Sequence, residues 1–251
     1  MAGPALTTAR IGTAGWSLPK ALRISHLANK SVLEQYAALF DAVEVNSSFY
    51  KPHRRSTYAR WCASVPESFR FAVKLSRLIT HERGLVRAES ETVAFMESAR
   101  GLEHKLAVLL VQLPPSRIFD ESIAGAFFQT LRQETSAHIV CEARNPSWFT
   151  SEATAVLEAY RVTRVAADPV PPGCEFVAPA RPDFAYFRLH GAPRIYYSPY
   201  SIGRLQYVAA AADTAAATWC IFDNTAAGAA WADATTLQRL IASRSILPRP
   251  P

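Results

Sequence analysis

The chain has 251 residues, 49% hydrophobic and 19% charged, with 27 Lys and Arg against 21 Asp and Glu and a net charge of +6. That much apolar material builds a large core and excludes a disordered tail, a fibre or a disulfide mini-protein. No apolar run approaches the ~20 residues of a membrane-spanning helix, and the N-terminus lacks the apolar stretch of a secretory signal. A soluble, cytoplasmic protein with no membrane partner is therefore expected.

Along the chain, short β-branched and aliphatic runs predict eight strands, at 11–16, 42–46, 69–75, 106–112, 138–142, 162–168, 184–190 and 219–223. Several lack period-2 alternation, as strands buried on both faces of a parallel sheet do. Helix signals lie between them. Ser31-Val-Leu-Glu34 is a capping box, followed by an apolar stripe at Leu33, Tyr36, Ala37 and Phe40. Asp120 is placed to cap a helix bearing Ile123, Phe127 and Leu131, and near the end Trp231, Ala234, Leu237 and Ile241 repeat the helical spacing. Between strands six and seven, Pro169, Pro171, Pro172, Pro179 and Pro182 leave no room for a regular helix.

Eight strands alternating with helices over this length are the accounting of an α/β protein of the TIM-type (β/α)8 barrel class. The expectation is a single barrel domain over 1–251, with one irregular βα unit between strands six and seven. A doubly wound open sheet is the runner-up. It wants a Gly-rich turn after the first strand, and Gly12-Thr-Ala-Gly15 is not G-x-G-x-x-G.

Active groups of such barrels sit at the C-terminal ends of the strands. There this sequence is polar: Trp16, Glu44 and Asn46, Lys74, Gln112, Glu142 and Arg144, Asp168, Arg188 and His190, Asp223 and Asn224. Side chains two apart in a strand share a face, so Glu44 with Asn46, Glu142 with Arg144, and Arg188 with His190 each point one way. Lys74, Arg144 and Arg188 are then expected to face Glu44, Glu142 and Asp168. A salt-bridge plug in the barrel mouth accounts for any one of these pairs, whereas convergence of the whole set favours a pocket. The chemistry expected is an enzyme, of hydrolase, lyase or isomerase type, acting on a small anionic or sugar-like substrate. Glu44 or Glu142 would serve as acid or base, His190 as proton shuttle, and Arg144, Arg188 and Lys74 as anion ligands.

No cofactor is expected. H-x-H, H-E-x-x-H and C-x-x-C are absent and only His190 stands at a strand end, which argues against zinc; Glu44, Glu142 and Asp168 leave room for a single Mg or Mn ion. Cys62, Cys141, Cys174 and Cys220 are expected as free thiols. The tyrosine-rich loop 191–200, which carries Arg194, is placed to cover the pocket or to stack on a planar group, and the alternative is a nucleic-acid-binding or phosphodiester-processing protein using that loop with Lys51, Arg54 and Arg55. The basic residues are scattered rather than gathered in a stripe, which favours the small substrate. Oligomeric state is not legible.

Five segments, in order, carry a resemblance: Val43-Glu-Val-Asn-Ser-Ser-Phe-Tyr50, Ile79-Thr-His81, Gln112-Leu-Pro-Pro115, Tyr186-Phe-Arg-Leu-His-Gly191 and Phe222-Asp-Asn224. Together they resemble the YecE-like family, also called the domain of unknown function 72 family, from Gly12 to about Leu240. The resemblance implies a TIM-barrel fold and no particular reaction. It also implies a shared set of polar positions: Trp16, Glu44, Asn46, Tyr50, Lys74, Thr80, His81, Gln112, Glu142, Arg144, Trp148, Arg188, His190, Gly191 and Asn224. Two departures stand out. Glu142-Ala-Arg-Asn145 replaces the family's usual Glu-x-Arg-His, and Ser17 to Lys30 lacks the Tyr-Pro often found before the first helix. Glu44, Glu142 and His190 are thus the candidate catalytic residues. Trp16, Asn46, Tyr50, Lys74, His81, Gln112, Arg144, Trp148, Arg188 and Asn224 are the candidate substrate-binding residues.

Overall fold

The computed structural model describes residues 8–19, 27–176, 183–213 and 215–246. Strands β1 (Thr8–Thr13), β2 (Ala42–Val45), β3 (Arg70–Lys74), β4 (Leu106–Gln112) and β5 (His138–Glu142) alternate with helices α1 (Val32–Ala37), α2 (Arg55–Ser64), α3 (Glu89–Ala99) and α4 (Glu121–Glu134). Helix α5 (Ser151–Ala159) leads into β6 (Val162–Arg164) and β7 (Ala166–Asp168), then β8 (Phe184–Leu189), α6 (Ile202–Ala212), β9 (Ala217–Phe222) and α7 (Ala229–Ile246). The capping signals operate as their chemistry requires. The Ser31 hydroxyl accepts from Glu34 N while the Glu34 carboxylate accepts from Ser31 N, and Asp120 accepts from Ile123 N. Helix α1 is short, and Phe40 of its apolar stripe is buried just beyond its end.

All strand pairs are parallel, in two sheets ordered β1-β9-β8-β7 and β2-β3-β4-β5-β6. The sheets approach each other at two seams. At the first, Ala14 bridges Glu44 and Gly15 N donates to the Glu44 carbonyl at 2.8 Å. Tyr36 reinforces this seam from α1, its buried hydroxyl accepting from Thr13 N at 2.9 Å and donating to Ala42 O at 2.8 Å. Gly12 is obligatory beside it, because a Cβ there would meet Ala42 O at 2.2 Å. At the second seam the predicted strand 162–168 is broken at Val165, which corrects the expectation of one continuous strand. Here β6 pairs with β5 and β7 with β8. Successive strands twist relative to one another, and one straight segment does not keep both neighbours in register.

Alternation along the strands sorts the core into two layers. Ala42, Ala72, Val108, Leu110, Val140, Val165, Ala167, Phe184, Tyr186, Trp219 and Ile221 form one cluster, on the face turned away from the helices. Their neighbours, such as Val43, Val73, Leu109, Cys141, Phe187 and Cys220, pack with helix residues including Tyr36, Phe128, Leu157 and Leu237. Strands sandwiched in this way carry apolar residues on both faces, which is why their alternation is weak in the sequence. The connection from β7 to β8 has no helix among its described residues, and Pro179 and Pro182 lie outside them. None of the helices described is long and apolar enough to cross a membrane.

Candidate functional site

The inner face changes character at its C-terminal end. Continuing each strand by its period of two places Glu44 after Ala42, Lys74 after Ala72, Gln112 after Leu110, Glu142 after Val140, Arg188 and His190 after Tyr186, and Asp223 after Ile221. At the centre stands Arg188, whose side chain is fully buried. Its Nε donates to both Glu44 oxygens, at 2.9 and 3.1 Å, and its Nη2 to Glu44 Oε1 at 2.7 Å. Nη1 reaches Glu142 Oε2 at 2.7 Å, and Nη2 also reaches Asp223 Oδ2 at 2.9 Å. Tyr186 donates its hydroxyl to Glu44 Oε2 at 2.9 Å. A buried charge is tolerated when its attraction and hydrogen bonds offset desolvation, and three carboxylates around one guanidinium supply both.

The network then opens outward through Glu142. Its Oε1 accepts from Arg144 Nε at 2.9 Å and lies 3.1 Å from His190 Nε2, while His190 Nδ1 lies 3.0 Å from Asp223 Oδ2. Glu142, Arg144 and His190 line a cavity of about 360 Å3, whose other walls are Pro115, Ala143, Ala167, Pro169, Val170, Pro171, Pro172, Ile195 and Tyr196. The site therefore has two halves. Glu44, Arg188 and Tyr186 form a sealed inner half, and Glu142, Arg144 and His190 face a largely apolar pocket.

The electrostatics follow from this geometry. Burial pushes Glu142 up, but Arg188, His190 and Arg144 outweigh it and hold its pKa well below the usual carboxylate range. Asp223 is lowered in the same way, burial being overcome by Arg188 and His190. Burial favours neutral His190, yet Glu142 and Asp223 raise its pKa. Both ring nitrogens face carboxylates held in the ionised form, which accept and do not donate, so the arrangement favours the protonated ring. Lys74 is only 5% exposed and lies over the Phe49 ring, 4.1 Å from its centroid. Burial and the charge of Arg188 outweigh the pull of Glu44, Glu142 and Asp223, lowering its pKa to about 8. His81 Nδ1 is 2.9 Å from Thr80 Oγ1, and burial with the nearby charges of Lys74, Arg144 and Arg77 lowers it to about 4.

The remaining candidates are placed as follows. Asp168, expected among the facing carboxylates, pairs instead with Arg204 of α6 at 2.9 Å, because it shares the parity of Ala166 and points to the helix layer. Asp223 takes the place expected for it. Gln112 is buried at the end of β4, in register with Glu142. Asn46 is half-buried, with its Oδ1 unpartnered. Tyr50 is 77% exposed, against Phe49, and is not brought to the network. Trp148 is buried, donating Nε1 to Arg117 O, and Trp16 packs edge-on to Trp61 away from the network. Asn224 donates to Ser198 O and to Asp233 Oδ2, tying the loop after β8 to α7. Asn145, where the family usually has His, accepts from Ser147 N and donates to Pro115 O, so it shapes a turn.

Tyr186 and Tyr196 are not among the candidate residues, although the loop that carries Tyr196 is the one placed to cover the pocket. Tyr186 was legible, being two before Arg188, whereas Tyr196 reaches the cavity only because its loop folds back. Gly191 makes that turn at φ +95°, where a Cβ would meet Ser198 O at 2.7 Å. Tyr196 N then donates to His190 O, and the two rings meet edge-on. Glu44 and Glu142 are bound to Arg188, and Asp168 lies apart from them; they do not form the metal-binding trio left open by the sequence. Among the described residues no group of three or more His, Cys, Asp or Glu could hold a metal ion. The four cysteines are free, three of them buried.

Known proteins share this architecture. A DUF72 family protein of Enterococcus faecalis superposes with a TM-score of 0.77 at 23% identity, covering 95% of this chain and 99% of that one. One from Thermotoga maritima gives 0.76 at 23% identity over 94% and 99%. In sequence, the UPF0759 protein YunF of Bacillus subtilis is 31% identical over 147 residues, 55% of this chain and 51% of that protein. The UPF0759 protein YecE of Escherichia coli K12 is 29% identical over 104 residues, 41% and 37% of the two chains. Each match thus spans about half or less of the relative's length. The family model described as "Protein of unknown function DUF72" matches residues 10–251, and the chain belongs to that family.

Proposed function

We propose that the protein is an enzyme acting on a small anionic substrate by proton transfer at the outer half of the network. The observation that carries this reading is His190, held through both ring nitrogens by Glu142 and Asp223 at the wall of a cavity that also takes Arg144. A cation already paired on both sides gains little as a structural element from facing a pocket; as a proton donor it needs one. His190 delivers the proton, Glu142 and Asp223 stabilise and orient the ring, and Arg144 receives the substrate's carboxylate or phosphate. Its guanidinium suits that role because its side chain is 30% exposed and forks naturally onto such groups. The proline-rich wall and Tyr196 accept the apolar body of the substrate. Glu44 holds Arg188 in place and acts from behind the reacting groups. A lyase or isomerase fits this layout, since either can run on proton transfers.

The test is a thermal-shift screen of small carboxylates and phosphate esters, followed by titration calorimetry. A ligand at 100 times its Kd adds about 2.7 kcal/mol of stability. Arg144→Ala is expected to keep the fold and to weaken binding at least roughly ten-fold, the loss of one charge-assisted contact. A screen in which no anion stabilises the wild type, or in which Arg144→Ala binds as well, overturns the reading.

A further inference from the structure

Lys74 and Lys105 are the buried lysines among the described residues, each 5% exposed, and they are used in opposite ways. The ammonium of Lys105 donates to Cys62 O at 2.8 Å and Val65 O at 2.9 Å, as a structural lysine does. The ammonium of Lys74, at the C-terminal end of β3, makes no hydrogen bond and no ion pair with any described residue and lies against the Phe49 ring. An ammonium that gives up most of its water without gaining hydrogen-bond partners destabilises the fold. Such a group persists where the reaction uses it.

We propose that Lys74 is a covalent catalytic residue whose amine condenses with the carbonyl group of a small anionic aldehyde or keto acid to form a Schiff base. This deepens the reading of the mouth as an anion-processing site and rests on it. Nζ attacks the carbonyl carbon, a C–N bond forms, and the C–O bond then breaks. Starting from the ammonium and the carbonyl compound, the products are a protonated imine and one water, which carries off the carbonyl oxygen and two of the three ammonium protons. The balance needs no oxidant or co-reactant.

Three features suit that step. A desolvated lysine beside another cation yields a free amine near neutral pH, and burial with Arg188 lowers this one to about 8. The groups that set its charge are Arg188, Glu44, Glu142 and Asp223, with His81 held neutral alongside. The iminium is a cation like the ammonium it replaces, so the carboxylates and the Phe49 face that hold one hold the other. The two protons lost were donated to no described residue, so condensation breaks no hydrogen bond.

The experiment uses the full chain with glyoxylate, an anionic aldehyde, and cyanoborohydride to trap the imine, followed by peptide mapping across the chain's five lysines at 20, 30, 51, 74 and 105. The expected result is one stable adduct, on Lys74, whose rate rises with pH through about 8. Lys74→Arg and Lys74→Met lose it with the fold intact by circular dichroism. Uncharged acetaldehyde should label Lys74 roughly ten-fold more slowly, the margin of one charge-assisted contact, and Arg144→Ala should erase that preference. Labelling of the exposed lysines with Lys74 spared overturns the proposal. Glycolate, which has no carbonyl, separates the two ideas: stabilisation by glycolate without a Lys74 adduct sinks the covalent role and leaves the anion pocket standing. A Lys74 adduct with no anion preference and no glycolate binding supports the reactive amine and sinks the anion pocket.

Discussion

Arg188 and Glu44 form a two-pronged ion pair from which solvent is wholly excluded: both side chains have zero exposure, with contacts of 2.7 to 3.1 Å. They lie 144 positions apart in the chain and belong to different sheets. The pair therefore ties β8 to β2 across the inner face, at the level where the apolar layer ends and the polar mouth begins.

Removing one partner of such a pair leaves an uncompensated charge in the interior. Arg188→Ala would face Glu44, Glu142 and Asp223 towards one another, and urea denaturation should show a loss of about 3–5 kcal/mol. Glu44→Gln keeps an acceptor for Arg188 and Tyr186 and should lose less. Equal losses in the two variants would mean that the charge of Glu44 is not what stabilises the arginine.

The network sets a pH window for stability. His190 is raised above 6.5, so its contribution is complete below that value and disappears as pH rises through its higher folded pKa. Glu142 and Asp223 are lowered from 4.5 and 3.8, so theirs is complete above those values and is lost as pH falls through the folded ones. The joint contribution is greatest between 4.5 and 6.5. Denaturation midpoints across this range should fall on the alkaline side in wild type and fall less in His190→Gln. An NMR titration placing the His190 pKa below 6.5 would contradict the clamp.

Lys74 carries the opposite sign. Its pKa is lowered from 10.5 to about 8, so the folded state disfavours its charge at neutral pH, and the penalty eases only as pH rises through 8. Lys74→Met fills the same space without a charge. It should raise stability by about 1–3 kcal/mol while abolishing any reaction that uses the amine, the trade expected of a residue retained for function. A destabilised Lys74→Met would identify Lys74 as structural.

Salt dependence separates a small anionic substrate from nucleic acid. Lys51, Arg54, Arg55 and Arg194 are exposed, and Arg194 stacks on Tyr197, 3.9 Å from the ring centroid. If these residues engaged duplex DNA, log Kd would change with log salt with a slope of about 0.9 per phosphate contacted. The expectation is weak DNA binding that is insensitive to Arg144→Ala, against small-anion binding with a shallow salt response that Arg144→Ala removes. Tight, sequence-tolerant DNA binding with a steep slope would reverse that order.

The sequence alone determined the alternation of strand and helix, the caps at Ser31 and Asp120, and the facing of Glu44, Glu142, Arg188 and His190. Each of these depends on local chemistry or on the period of two, both readable within a few residues. Strand ends were less legible. The first strand begins at Thr8 and ends at Thr13 instead of running 11–16, because its extent is set by pairing with β9. Tertiary structure alone decided that Asp223 and not Asp168 joins Arg188. Asp168 closes β7 and Asp223 follows directly on β9, and only the break at Val165 and the packing of the flanking layers set which face each one takes. It also decided that Tyr50 points to solvent, that Tyr196 folds over His190, and that the Lys74 ammonium is left without a hydrogen-bond partner among the described residues. Contacts between residues distant in the chain, and the desolvation that comes with them, exist only once the sheets have curved together.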